Sequence, residues 1–372
     1  PFIIGSALPS FYEMLIKLSN LQSPQVIGYE KTINKRNDIN NRIKSSLKPL
    51  EDNFQINDIT KILLKYFPCS FIENYNLNLS LLKKISWPSK PKFIFTSVNH
   101  YFDDLFKLYC AEQVKNKVPL YLGQHGARFS THIPYWNHPE TYLADKFLVW
   151  GRKKISSNSF ETFILRKPKI KQVKNNLKGG ILFLIETAEN ITNLLNSKYD
   201  YQNENFDFQS KFVQQLDVDK FNSLILRLRN KETNKFCHEE LRWREKFSNL
   251  NIELGEKPVF QMINQSKLTV FGYDSTGFLE CISQNKPVIL YIPKREFDKI
   301  NSFALDDYKK LYEKKIIFCD PDSLNNHINN IWGNIDSWWY DHDIQKVIEQ
   351  FKSNYCITEK FPIKKLNSIF NA

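Results

Sequence analysis

The residues best suited to chemistry stand where short apolar runs end. The segment 268–291, LTVFGYDSTGFLECISQNKPVILY, begins as a β-branched run that stops at Gly272. Asp274, Ser275 and Thr276 then offer the short oxygen-bearing side chains that cap helix starts, Gly277 leaves room for close backbone approach, and FLECISQ continues with helical spacing. A helix start of this kind presents unpaired N–H groups and a partial positive charge, which together attract phosphate. Glu280 follows Thr276 by four residues, about one turn, where a carboxylate can accept both hydroxyls of a ribose. The alternative is that Asp274 is only a cap and Glu280 only a solvated helix residue. In 223–230, SLILRLRN, Arg227 and Arg229 fall on one face of a strand with period-two alternation. Paired guanidinium groups at a strand end suit a diphosphate or a carboxylate, and Arg242 and Arg244 in ELRWREKF add two more; an exposed edge strand would also carry such a pair.

Three further stretches carry candidate acids, bases and hydrogen-bond donors. The run 180–189, GILFLIETAE, ends in Glu186, placed to act as base, nucleophile or hydroxyl acceptor, or else to cap the next helix. In 121–132, YLGQHGARFSTH, the strand-like start gives way to Gly123, Gln124, His125 and Gly126, so two glycines flank an imidazole displayed at a strand end. His125 can donate to phosphate or carboxylate, or shuttle a proton near neutral pH. The stretch FTSVNHYFDD repeats the arrangement with Asn99 and His100, and its Asp103 and Asp104 either complete an HxxDD metal pattern or cap a helix. The capping reading is preferred, so no metal site is assigned. The motifs GxxxxGK[ST], GxGxxG, GxSxG and HExxH are all missing, which sets aside the common P-loop kinases, dehydrogenases with the glycine-rich fingerprint, α/β-hydrolases and zincins.

Positioning these groups requires strands that end near one another. Short apolar runs alternate with longer amphipathic stretches, the signature of an α/β protein with parallel strands. Strands are expected at 2–5, 25–29, 92–97, 119–123 and 146–150, then at 180–185, 223–228, 268–272, 287–291 and 315–318, with helices such as 57–66 and 102–116 between. The Lys-rich stretch 152–178 with Pro168 reads as a linker. The expected organisation is therefore a first Rossmann-like domain over 1–151, the linker 152–178, a second Rossmann-like domain over 179–340 and a helical tail over 341–372, packing back on the first domain. Ligands of such sheets bind at the carboxyl ends of the strands.

The bulk properties agree with a folded chain of two domains. A chain of 372 residues exceeds one ordinary core, and 42% hydrophobic with 14% aromatic residues supplies enough apolar surface to bury. The formal charge of +12 suits phosphate-bearing partners or an anionic membrane face, although the lysines are scattered and also fit a solvated surface. No aromatic-basic RNA motif or helix-turn-helix signature accompanies them, so a specific nucleic-acid partner is not expected. Six widely spaced cysteines argue for free thiols in a reducing compartment, hence a cytoplasmic location. Apolar runs such as 181–185 are far shorter than the roughly 20 residues of a membrane span. Pro1 leads directly into FIIG, as in a chain cut from a longer parent.

Three stretches together resemble a group of transferases encoded in O-antigen and related surface-polysaccharide clusters, first catalogued in Leptospira. They are LGQHG with FLVWG beyond it, LRLRN leading to LRWREKF, and the run from Asp274 to Phe351, in which IWGNIDSWW is the most distinctive part. The resemblance covers roughly 90–355 and departs at Ala127, where the group tends to have a second glycine. It implies a GT-B-like glycosyltransferase whose second half holds a nucleotide sugar and whose first half holds an oligosaccharide or lipid-linked acceptor, at the inner face of the cytoplasmic membrane. By that similarity Asp274, Ser275, Thr276, Gly277 and Glu280 would contact nucleotide, and Arg227 and Arg229 would face phosphate or carboxylate. Gln124, His125, Gly126, Asn99 and His100 would line the acceptor side. Glu186, Asp274 and His125 stay open as the catalytic carboxylate or imidazole. A more distant similarity to bacterial transferases of CMP-activated 3-deoxy-octulosonate (Kdo), a lipopolysaccharide sugar, would give the arginines an acidic donor. No metal or cofactor beyond the nucleotide sugar is expected, because helix dipoles and cations can neutralise a leaving phosphate. A teichoic-acid-type polyol-phosphate transferase is the alternative on the same fold, and a nucleic-acid-binding protein a more remote one.

Overall fold

The strands are short, and those at 94–96, 181–184, 268–271 and 288–291 are buried along their whole length, which is why they read as continuous apolar runs rather than as alternating ones. A computed structural model describes residues 1–23, 41, 58–133, 138–152, 154–169, 175–185, 202–229 and 238–372. The chain divides into two compact units, one of Pro1–Gly123 with Leu143–Lys146, the other of Gln124–Tyr142 with Phe147–Ala372. The sequence boundary at 151 is thus drawn differently by packing, and the loop carrying His125 falls in the second unit.

In the first unit β1 (Phe2–Ile3), β2 (Ile94–Thr96) and β3 (Leu120–Gly123) run parallel, with Phe2 opposite Ile94 and Ile94 opposite Leu120. The helix Asp104–Lys115 buries Leu105, Phe106 and Tyr109 against Phe2 and Trp87. Asp103 caps this helix by accepting the Phe106 N–H at 2.9 Å, and Asp104 accepts from Ser70 and Lys107, so both acids of the HxxDD pattern act as helix-start groups. The expected strand at 25–29 lies outside the described residues.

β4 (Lys146–Val149) pairs parallel with β5 (Ser159–Glu161), which lies inside the stretch expected to be a linker. Beyond β5, Phe163, Ile164 and Leu165 are fully buried, so 152–178 is partly core; its lysines mask a short apolar run. The tail, with helices His342–Tyr355 and Pro362–Asn371, is knitted to the same stretch. Ile164 donates its N–H to the Ile357 carbonyl, and Ile357 to that of Trp150, both at 2.8 Å.

The larger sheet is entirely parallel. Its strands β6 (Ile181–Leu184), β7 (Ile225–Arg227), β8 (Asn251–Glu253), β9 (Leu268–Phe271), β10 (Val288–Tyr291) and β11 (Ile317–Phe318) are ordered β11-β10-β9-β6-β7-β8. Numbered from β6, this is the doubly wound order 3-2-1-4-5-6, in which the winding direction reverses between β6 and β9. Four-residue strands buried at every position leave both faces to be covered, as crossover helices require. β8 was not expected, because the three residues NIE hold a single apolar side chain, Ile252, between two polar ones. Among the described residues no helix is long and apolar enough to cross a membrane.

Candidate active site

The reversal between β6 and β9 places two strand ends side by side, and the residues that follow β9 build the site. Gly272 continues the ladder by donating to the Leu184 carbonyl at 2.8 Å. The chain then leaves the sheet, and Ser275, with extended backbone, accepts the Phe278 N–H through its Oγ at 3.3 Å. Ser275 is therefore the cap of the helix Thr276–Ser283, while Asp274 lies one residue earlier and faces inward. Ser275, Thr276 and Gly277 are half-buried. A Cβ on Gly277 would stand 2.7 Å from the Phe271 ring, so this glycine lets the helix start close over the end of β9.

Glu280 points into the fold, only 7% exposed. Burial raises its carboxyl to about 7, with Lys167 and Arg166 partly opposing the shift. It is thus not the solvated helix residue considered above.

Asp274 is buried as well. Its Oδ2 accepts from the Tyr308 hydroxyl at 2.7 Å and lies 3.6 Å from the His132 Nε2. Burial, and then the neighbouring carboxylate, hold the Tyr308 hydroxyl well above its usual pKa. His132 Nδ1 meets Thr131 Oγ1 at 2.9 Å, which orients the ring.

The loop after β3 lies on the start of the same helix. Arg128 donates from Nε to the Asp274 carbonyl at 3.2 Å, and a Cβ built on Gly126 would be 3.8 Å from Thr276 Oγ1. Gly126 has extended backbone that any residue adopts, so its value is open space beside the helix start. Gln124, expected on the acceptor side, is 1% exposed and acts as a strut: its Nε2 donates to the Gly126 carbonyl and its Oε1 accepts the Trp150 N–H. His125 is half-buried, its ring 4.8 Å from that of Phe129 in an edge-on contact. Asn99 and His100 sit in the first unit, at the start of the short helix Asn99–Phe102 after β2.

The arginines divide. Arg227 pairs across strands with Glu253, Nε to Oε2 at 3.2 Å, and donates from Nη1 and Nη2 to the carbonyls of Leu228 and Lys257. Glu253 in turn accepts the N–H groups of Gly255, Glu256 and Lys257. Arg227 therefore holds the turn beyond β8, an outcome of its pairing with a strand that the sequence does not announce. Arg229 is exposed. Arg242 lies over the Phe206 ring, and Arg244 pairs with Glu240 along its own helix. Glu186 lies outside the described residues, two positions beyond the end of β6.

Sequence reasoning missed Arg128, His132 and Tyr308. For Tyr308 a signal existed: it shares a buried face with Ala304 and Leu311, and a buried tyrosine needs a partner for its hydroxyl.

The sequence profile of one family matches residues 2–370. The chain belongs to the LIC12162 family of transferases. No curated protein matches it. Among solved structures, the Staphylococcus aureus MnaA–UDP complex is similar, with 14% identity, a TM-score of 0.50, and coverage of 98% of this chain and 94% of that one. Acinetobacter baumannii MurG shares 11% identity over 79% of this chain and 76% of its own, with a TM-score of 0.42. Anabaena HepE in complex with UDP-glucose shares 9% identity over 92% and 96%, with a TM-score of 0.43. Together with its two parallel sheets, the first of these likenesses gives the transferase a GT-B-type α/β fold.

Proposed function

We propose that this transferase moves a glycosyl group from a nucleotide-activated sugar to an oligosaccharide or lipid-linked saccharide acceptor. The observation that carries the reading is the reversal of strand order between β6 and β9, with a serine-capped helix opening where β9 ends. Ligands of doubly wound sheets collect outside the strand ends at such a reversal. There the donor phosphate would lie against the N–H groups of Ser275, Thr276 and Gly277, with Arg128, bonded to the Asp274 carbonyl, and the exposed Arg229 beyond β7 as the cations to test. Glu280 would receive the ribose hydroxyls. His125 or Glu186 would take the proton from the acceptor hydroxyl as the bond to the sugar forms, and the nucleotide would leave with its phosphate stabilised by the helix dipole and guanidinium groups. In this reading the reaction uses no metal or further cofactor.

UDP, named in the MnaA structure, is the nucleotide to try first. A CMP-linked acidic sugar of the Kdo type is the second donor, since its carboxylate would suit the arginines. The net charge of +12 supports work at the anionic inner face of the cytoplasmic membrane, on O-antigen or lipopolysaccharide precursors. Thermal-shift screening against UDP-, CMP-, GDP- and dTDP-sugars tests the proposal: a ligand present at about 100 times its Kd adds about 2.7 kcal/mol. Mass spectrometry of the product should then show an added glycosyl group. An added phosphoryl group would instead identify polyol-phosphate transfer, and absence of both stabilisation and transfer with every donor would end the proposal.

A further inference from the structure

Asp274 is the carboxylate nearest the helix start, and its surroundings argue against direct chemistry. The residue is 4% exposed, His132 2% and Tyr308 0%, so the carboxylate is sealed behind two rings instead of opening on solvent. Tyr308 Oη and His132 Nε2 both address Oδ2, at 2.7 and 3.6 Å, while the backbone carbonyl takes the Arg128 Nε. The other end of the same loop is fastened by backbone: His132 forms an antiparallel bridge with Ile300, Ile133 donates to the Lys299 carbonyl at 2.8 Å, and Asn301 to that of Thr131 at 2.9 Å. The loop 124–133, with His125 and Arg128 in its middle, therefore hangs between a strand end and a buried carboxylate.

We infer that Asp274 is an internal anchor: through Tyr308, His132 and Arg128 it fixes the 124–133 loop over the start of the helix Thr276–Ser283, and it does not touch substrate. Tyr308 and His132 are its positioning partners. The consequence is a division of labour within one short segment: half-buried Ser275 to Gly277 form the helix start, and Asp274 faces inward to hold the loop that carries His125 and Arg128. A hydroxyl donating to a buried carboxylate is one of the stronger hydrogen bonds in a protein, so removing it should loosen the loop measurably.

The test has two arms, only the second of which rests on the proposed nucleotide-sugar activity. Hydrogen exchange of the full chain, without ligand, compares the native protein with Tyr308→Phe and with His132→Gln. Exchange in peptides covering 124–133 should rise about tenfold or more in each variant, while peptides from β6 and β10 keep their rates. The double variant should add little, because both partners serve one oxygen. Unchanged exchange over 124–133 in Tyr308→Phe would overturn the anchor. In the second arm, with the donor found by thermal shift, Tyr308→Phe should lower kcat about tenfold and leave the nucleotide Kd within about threefold. Loss of affinity equal to the loss of kcat would put Asp274 on the nucleotide, and an unchanged kcat would leave it a packing group; either result refutes positioning. If the native protein neither binds nor transfers any nucleotide sugar, the glycosyl-transfer reading falls, and the exchange arm still decides the anchor.

Discussion

Replacing Glu280 with glutamine is the most informative perturbation, because one buried group links stability, pH and the proposed ligand. Its carboxyl is raised from 4.5 to about 7, first by burial, against the pull of Lys167 and Arg166. Below pH 4.5 both the folded and the unfolded chain carry the proton, and the neutral acid's contribution is fully present. As pH rises, the unfolded form ionises first, so stability falls through the window and the loss is complete above about pH 7. At about 1.4 kcal/mol for each pH unit, the interval amounts to about 3 kcal/mol. For a folded unit of this size that corresponds to a Tm change of about 6 to 12 °C. Glutamine keeps the shape and does not titrate. Glu280→Gln should therefore gain about 6 to 12 °C relative to the native chain between pH 4.5 and pH 7.5, measured by calorimetry at constant ionic strength. Parallel Tm curves for the two proteins across that range would refute the buried-acid reasoning. The proposed ribose contact adds a linked readout: hydroxyls favour the ionised carboxylate, so nucleotide binding near pH 6 should release a proton in the native protein and none in the variant.

Two further outcomes separate packing from ligand contact. Gly277→Ala forces the Phe271 ring aside and should cost about 1–3 kcal/mol by thermal denaturation, whereas Gly126→Ala, whose Cβ finds ordinary contact distance to Thr276, should fold with a change below about 0.5 kcal/mol. Arg227→Ala leaves Glu253 buried without its cation and should destabilise by about 3–5 kcal/mol, while the nucleotide Kd of the folded protein stays within about threefold. A large loss of affinity in Arg227→Ala with an unchanged Tm would return this arginine to the ligand.

The sequence by itself determined the fold class, because short runs such as ILFL and VILY, with no polar face, alternate with longer amphipathic stretches, as in a parallel sheet covered on both sides. It also marked a helix start after β9, since a capping side chain acts on an N–H two or three residues ahead and needs no distant partner, but it did not say which of Asp274, Ser275 and Thr276 is the cap. It left the same-face pair Arg227 and Arg229 open, because the deciding residue, Glu253, stands on a strand of three residues with only one apolar side chain, Ile252. Tertiary structure alone decided that Asp274 looks inward. Its partners, Tyr308 and His132, lie far from it in the chain, and nothing in the spacing DSTG tells a carboxylate that caps from one that is buried. The same holds for Glu280: four residues past Thr276 it can face water or the core. Only its burial in the folded chain raised its carboxyl to about 7, against the opposing pull of Lys167 and Arg166.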